Sequence, residues 1–125
     1  LRAAVQLACR HRGDYAAAAE WRLARFKRLA ADENFQRLLA VWSAEERRLR
    51  GDDAQTAAAR QRLAAIDPAQ LAPAPLVSGA DLIAMGLEPG PGLGRIHRRL
   101  YEEQLNERLT DRAAALARAR ALIGG

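Results

Sequence analysis

The sequence predicts an all-α fold, a bundle-like array of five to six helices whose C-terminal part is a helix–hairpin–helix. Three observations carry that prediction. Apolar residues make up 50% of the 125 but aromatics only 5%, so the core must come mainly from Leu, Ala, Val and Ile. Abundant alanine with few β-branched residues favours helix over strand. Apolar positions also recur at helical spacing along most of the chain, and no stretch alternates as a strand would.

The elements follow in order. "LRAAVQLACRH" reads as a helix over 1–11 that stops near Gly13. Asp14 offers an N-cap for "YAAAAEWRLARFKRLA", in which Ala19, Leu23, Phe26 and Ala30 share a face predicted to be buried. Asp32 is placed to cap the next helix, with an apolar stripe of Phe35, Leu38, Leu39, Trp42 and Leu49 and a basic last turn before Gly51. Asp52 or Asp53 starts a helix that aligns Thr56, Ala59, Leu63 and Ile66. The run 68–77 holds Pro68, Pro73 and Pro75 and reads as an extended connector. It separates a helical body, 1–67, from a tail, 78–125.

The tail carries the clearest local signals. Ser78 and Asp81 form an S-x-x-D capping pattern. Gly86 suits a left-handed C′ position, with Leu87 following it. "EPGPG" makes the corner, where Gly90 fits an N-cap and Pro91 the first helical position. Leu93, Ile96, His97, Leu100, Tyr101 and Leu105 form one face of the next helix, while Arg95, Arg98 and Arg99 face elsewhere. Thr110 or Asp111 caps a final helix, and Gly124–Gly125 is expected to fray. On spacing alone Gly86, Pro89, Gly90, Pro91 and Gly94 serve a turn and close helix packing, or else expose backbone N–H groups to an anion.

Net charge is +5, and residues 1–31, with seven basic and two acidic side chains, account for all of it. Nineteen of the twenty basic residues are Arg, Lys27 being the exception. Arg22, Arg25 and Arg28 recur along one helical face, a pattern open to two readings: a polyanion site or a solvated surface. Trp21 beside them is read as a core anchor, with base stacking as the alternative.

Catalytic signals are missing. His11 and His97 lack ligand-spaced partners, Ser43 and Cys9 have no base near them in sequence, and no metal site is expected. A single cysteine excludes an internal disulfide and fits a cytoplasmic setting. No run approaches the roughly 18–20 apolar residues of a membrane span, so no membrane partner is expected. The chain begins at Leu1 rather than Met, as a piece of a longer protein would.

Residues 75–123 resemble the C-terminal end of bacterial tRNA nucleotidyltransferases (CCA-adding enzymes) and their poly(A) polymerase relatives. That family reads Leu-x-x-Gly-x-Asp-Leu-Ile-x-x-Gly-x-x-Pro-Gly-Pro-x-x-Gly. The matches are Leu76, Gly79, Asp81, Leu82, Ile83, Gly86, Pro89, Gly90, Pro91 and Gly94. The stretch "LARFKRLAADENFQRLLAVWSAEERRLRG" is similar, more weakly, to a pair of helices in relatives that follows or closes an HD-type helical domain. Trp42 and Glu45 stand where that family has His and Asp.

The resemblance implies a helical body and tail that hold tRNA or another RNA. The catalytic domain would lie elsewhere in the same polypeptide, on its N-terminal side, and would bring Mg²⁺. This stretch itself would hold no cofactor and no catalytic residue. Implied RNA contacts fall on Arg22, Arg25, Lys27 and Arg28, and on Arg95, Arg98 and Arg99. A helix–hairpin–helix DNA-binding module, or a purely structural or dimerisation domain, remains open beside it.

Overall fold

The computed structural model describes residues 2–124, and every described regular element is helical. Seven α-helices are present among these residues, more than the five or six expected. They are α1 (Arg2–Arg10), α2 (Leu23–Ala30), α3 (Phe35–Arg50), α4 (Ala54–Ala64), α5 (Gly79–Ala84), α6 (Pro91–Leu105) and α7 (Arg112–Gly124). None is long and apolar enough to cross a membrane. The chain divides into two compact units, residues 1–72 and 73–125.

In the N-terminal unit, α1–α4 surround an aromatic spine. Phe26 meets Phe35 edge-on with ring centres 6.0 Å apart, and Phe35 meets Trp42 in the same way at 6.2 Å. Leu7, Tyr15, Ala18, Leu29, Leu38, Leu39 and Ala59 complete this core. The predicted stripe holds except at its end, where Leu49 is exposed.

The helix predicted from Asp14 onward is interrupted. Asp14–Ala16 and Ala18–Glu20 are 3-10 turns, Trp21 and Arg22 are extended, and α2 begins only at Leu23. Asp14 does not cap a helix; its carboxylate takes the His11 ring Nδ1 at 2.9 Å. The break allows Tyr15, Ala18 and Trp21 all to turn inward. That burial outweighs the local helix preference of an alanine run.

One further cap differs from expectation, while α4 starts at Asp53 as expected but takes its side-chain cap from elsewhere. The N-cap of α3 is Asn34, and Asp32 instead accepts from the Asn34 backbone N–H at 2.8 Å. Asp53 is the N-cap residue of α4, but its carboxylate accepts from Ser43 Oγ and Arg47 Nη2 rather than from the helix. Glu46 of α3, fully buried, takes that place. Its two oxygens accept the Gln55 N–H at 2.9 Å, the Thr56 N–H at 2.8 Å and the Thr56 hydroxyl at 2.8 Å.

The proline-rich run is not one extended connector. Pro68–Gln70 is a 3-10 turn capped by Asp67, and Leu71 packs on the N-terminal core. From residue 73 the backbone is strapped to α6: Tyr101 Oη donates to the Pro73 carbonyl, and Gln104 bonds both Ala74 and Leu76.

The C-terminal unit packs Val77, Leu82, Leu100, Leu109, Ala115 and Ala119 between α5, α6 and α7. Its local signals act as predicted. Ser78 and Asp81 make a full capping box on α5. The Leu87 N–H reaches the Leu82 carbonyl at 3.1 Å and the Gly86 N–H reaches Ile83 at 3.0 Å, the double bond of a Schellman end. Gly86 has φ +99°, so Gly86→Ala is expected to cost about 1–2 kcal/mol, read as a lower urea midpoint by circular dichroism. Asp111 caps α7 through the Ala114 N–H at 2.7 Å. Of the terminal glycines expected to fray, Gly124 is the last residue of α7, and Gly125 lies outside the described residues.

Asp81 also ties α5 to α7. Arg112 donates to both its oxygens, at 2.8 and 3.0 Å, and these bonds, with those from Ser78, hold the carboxyl well below the usual carboxylate range. Glu103 is lowered likewise, chiefly by Arg118 of α7, then by Arg99. A lowered folded-state pKa stabilises the fold above the unfolded pKa, near 4, and that contribution fades as pH falls through the folded value. The C-terminal unit should therefore lose stability progressively below about pH 4. Asp81→Asn should flatten that acid limb in urea melts run at several pH values.

Candidate nucleic-acid interface

Sequence order sets up the first basic site. Arg25 and Arg28 stand three residues apart on α2, so one helical edge carries both guanidiniums. Arg25 lies over the Trp21 ring with Cζ 3.7 Å from its centroid. Trp21 itself is buried, so its ring is core and the base-stacking alternative has no open face to use.

The end of α1 closes the site from the other side. Gly13, at φ +79°, reverses the chain after α1. The His11 carbonyl accepts Trp42 Nε1 at 3.0 Å, which fixes this corner to α3. The result is a cleft of about 300 Å³ lined by Leu7, Arg10, His11, Trp21, Arg25, Arg28, Leu29 and Asp32. Arg10 of α1 and Arg25 and Arg28 of α2 line it together with Asp32.

Of the predicted contacts in this unit, Arg25 and Arg28 come together in the cleft. Arg22 is exposed but does not line it. Lys27 is corrected outright: it is fully buried, so it presents no charge to RNA. It points to the opposite side of α2 from its basic neighbours, a consequence of the 100° step per residue. Arg10 and His11 were missed. The only local signal was a basic last turn on α1; their meeting with α2 depends on tertiary packing.

The second basic site is the hairpin between α5 and α6. Gly90 sits at φ +150° and Pro91 opens α6, so the chain turns and restarts within a few residues. The first turn of α6 supplies N–H groups that no preceding helical carbonyl can accept, those of Gly92 and Leu93. Side chains on a helix lean toward its N-terminus, and Arg95 and Arg98 do so. A Cβ on Gly94 would lie 3.4 Å from Arg98 Nη1, and one on Gly92 would lie 3.8 Å from Arg95 Nη2.

This corrects two expectations. Gly94 is not at a close helix–helix approach, since the only atoms near its missing Cβ belong to Arg98 of its own helix. Gly79 is the glycine that faces another helix, with Leu93 3.8 Å from where its Cβ would be. Arg99 is drawn away from the hairpin, its Nε 3.4 Å from Glu103, which also binds Arg118 at 3.0 Å. Arg95 and Arg98 are the cations left over the open turn.

Ser43, which had no base near it in sequence, donates to Asp53 at 2.7 Å. That carboxyl is lowered by Ser43 and Arg47, making it a weak base, and no histidine mediates between them. Trp42, at the position of a family His, is in the core, and Glu45, at the position of a family Asp, lies 3.7 Å from Arg12. No three His, Cys, Asp or Glu residues converge among those described. The carboxylates of Glu46, Asp53, Asp81 and Glu103 are each committed to donors of their own.

Comparison with known proteins adds no second line: no family model matches the chain, and no curated protein or solved structure matches it either.

Proposed function

We propose that this chain is an RNA-binding helical region of a tRNA nucleotidyltransferase or poly(A) polymerase-like protein, and that it grips RNA through phosphates. The observation that carries the reading is the cleft in which Arg10, Arg25 and Arg28 meet. Guanidiniums bind phosphate oxygens through paired N–H groups and gain further from release of condensed counterions. With Trp21 covered by Arg25, the site lacks a stacking platform, so binding should be tolerant of sequence. Arg95 and Arg98 at the α6 turn supply a second phosphate contact. Nucleotide transfer and its Mg²⁺ would belong to the catalytic domain that the resemblance assigns to the rest of the polypeptide.

Titrating tRNA at two salt concentrations tests this. Two phosphate contacts predict log K falling against log salt with a slope of about −1.4 to −1.8. The pair Arg25→Glu and Arg28→Glu should weaken binding at least about tenfold and flatten the slope. Salt-insensitive binding, or none at low salt, would defeat the reading. The open α5–α6 turn with its two arginines also suits a DNA-binding hairpin, and preference for duplex DNA over tRNA in competition would favour that reading instead. Unchanged affinity in the charge-reversed pair would leave these arginines as solvated surface.

A further inference from the structure

We propose that the groove between α1 and α3 docks a helix of a partner protein, one with an apolar stripe and acidic flanks. This groove shares no lining residue with the arginine cleft, so the two sites stand or fall separately.

Both helices carry apolar residues outside the faces they bury. On α1 Leu7 enters the core, whereas Val5 and Cys9 are exposed. On α3 Leu38, Leu39 and Trp42 are buried, whereas Val41 and Ala44 stand clear of that stripe. Val5 is 58% exposed and Val41 45%. One exposed valine would mean little. Here Val5 and Ala8 of one helix and Val41 and Ala44 of the other line a single groove of about 680 Å³. Valine is also a weaker helix former than alanine, leucine or arginine, so neither valine serves its own helix.

Shape points to a helical occupant. The α3 edge of the groove runs from Arg37 to Arg48, eleven residues on, or about 16 Å at 1.5 Å per residue. That length takes about three turns of a helix laid alongside. Ala4, Ala8 and Ala44 let a neighbouring backbone come close, and the two valines form ridges between which side chains at i, i+3 and i+7 seat. Aromatic side chains are absent from the lining, so nucleobases find no face to stack on.

Charge selects the kind of helix. Glu45, the one acid in the lining, lies 3.7 Å from Arg12. The guanidiniums of Arg37 and Arg48 are exposed and enter no ion pair among the described residues. They stand at the two ends of the α3 edge, with Val41 and Ala44 between them. Glu or Asp at each end of an apolar stripe meets both, and Lys or Arg in those places is repelled. A second copy of this chain is a poor match. Each copy would bring three arginines and one carboxylate to the contact, and that carboxylate already faces Arg12.

The test uses the full chain and a dye-labelled synthetic peptide of about 15 residues, with leucines at i, i+3 and i+7 between pairs of glutamates. One control peptide replaces the glutamates by lysines, and another replaces the leucines by serines. Cys9 is the chain's single thiol and lines the groove, so its alkylation by iodoacetamide reports whether the groove is occupied. At low salt the glutamate peptide is expected to bind at least about tenfold tighter than the lysine peptide and to slow Cys9 alkylation. The serine peptide should not bind. Val41→Asp should weaken the glutamate peptide at least about tenfold. The pair Arg37→Gln and Arg48→Gln should bring the glutamate-to-lysine ratio close to one. Circular dichroism checks that these surface variants are folded, and Cys9 protection is read on the unaltered chain. Equal affinity for both charged peptides, binding that leaves Cys9 alkylation unchanged, or no binding overturns the proposal. A dimer in sedimentation that Val41→Asp dissolves would give the face to a second copy instead. Binding to phosphatidylglycerol vesicles that Val41→Asp abolishes would give it to a membrane surface, and either result overturns the assignment to a partner helix.

Discussion

Glu46→Ala is expected to destabilise the N-terminal unit by about 3 kcal/mol. The carboxylate is fully buried and reaches across from α3 to the first turn of α4. It satisfies the Gln55 N–H, the Thr56 N–H and the Thr56 hydroxyl at 2.8–2.9 Å. Alanine would leave three donors without their acceptor in a dry setting. It would also remove a negative charge from the positive end of a helix. Glu46→Gln keeps the shape but turns one acceptor into a donor facing another donor, so about half that loss is expected. Urea denaturation followed by tryptophan fluorescence reads this unit directly, because Trp21 and Trp42, the chain's two tryptophans, both lie in it. A loss below about 1 kcal/mol for Glu46→Ala would show that water enters and replaces the carboxylate.

The other large effect is expected at Trp42. Trp42→Ala should cost about 4 kcal/mol, as large-to-small changes of buried aromatics do. The indole has no exposed surface, meets Phe35 edge-on and donates Nε1 to the His11 carbonyl. A unit of this length is stabilised by only about 4–11 kcal/mol in total, so the variant should be close to unfolding at room temperature. The urea midpoint by far-ultraviolet circular dichroism checks it. Trp42→Phe keeps most of the packing and deletes the bond to His11. It should be milder, about 1–2 kcal/mol, yet it loosens the corner that positions Arg10 and His11. RNA affinity should therefore fall in Trp42→Phe although no charge in the cleft has changed. A fall in stability with unaltered affinity would show that the corner holds without the indole bond.

The parts of this fold that were legible in the sequence are those whose partners are close along the chain. The Ser78–Asp81 capping box spans three residues, the Gly86 end of α5 spans five, and the Asp111 cap of α7 spans three. Each is decided by short-range sterics and hydrogen bonding, so residue type and spacing are enough. The apolar faces of α3 and α6 were readable for the same reason, since 3.6-residue periodicity is a local property. The run after Asp14 was misread because a local rule met a distant demand: alanines favour helix, but the interior needed Tyr15, Ala18 and Trp21 together. The Glu46 cap was invisible because a helix start is expected to be capped by its own neighbours, and the acceptor came from the preceding helix.

The candidate sites divide along the same line. That the tail would make a capped helix, a Pro/Gly turn and a basic helix, and that the whole chain would be helical, was determined by the sequence alone, since caps, turns and periodicity act within about five residues. Which arginines line the candidate cleft was decided only by tertiary structure. Arg25 is held on Trp21, Arg62 is spent on the carbonyls of Ala18 and Ala19, and Arg99 shares Glu103 with Arg118. Lys27 is buried, and Arg10 joins the cleft from a different helix. A side chain's exposure and its ion pairs depend on contacts between residues as far as 44 positions apart, and no local pattern records those.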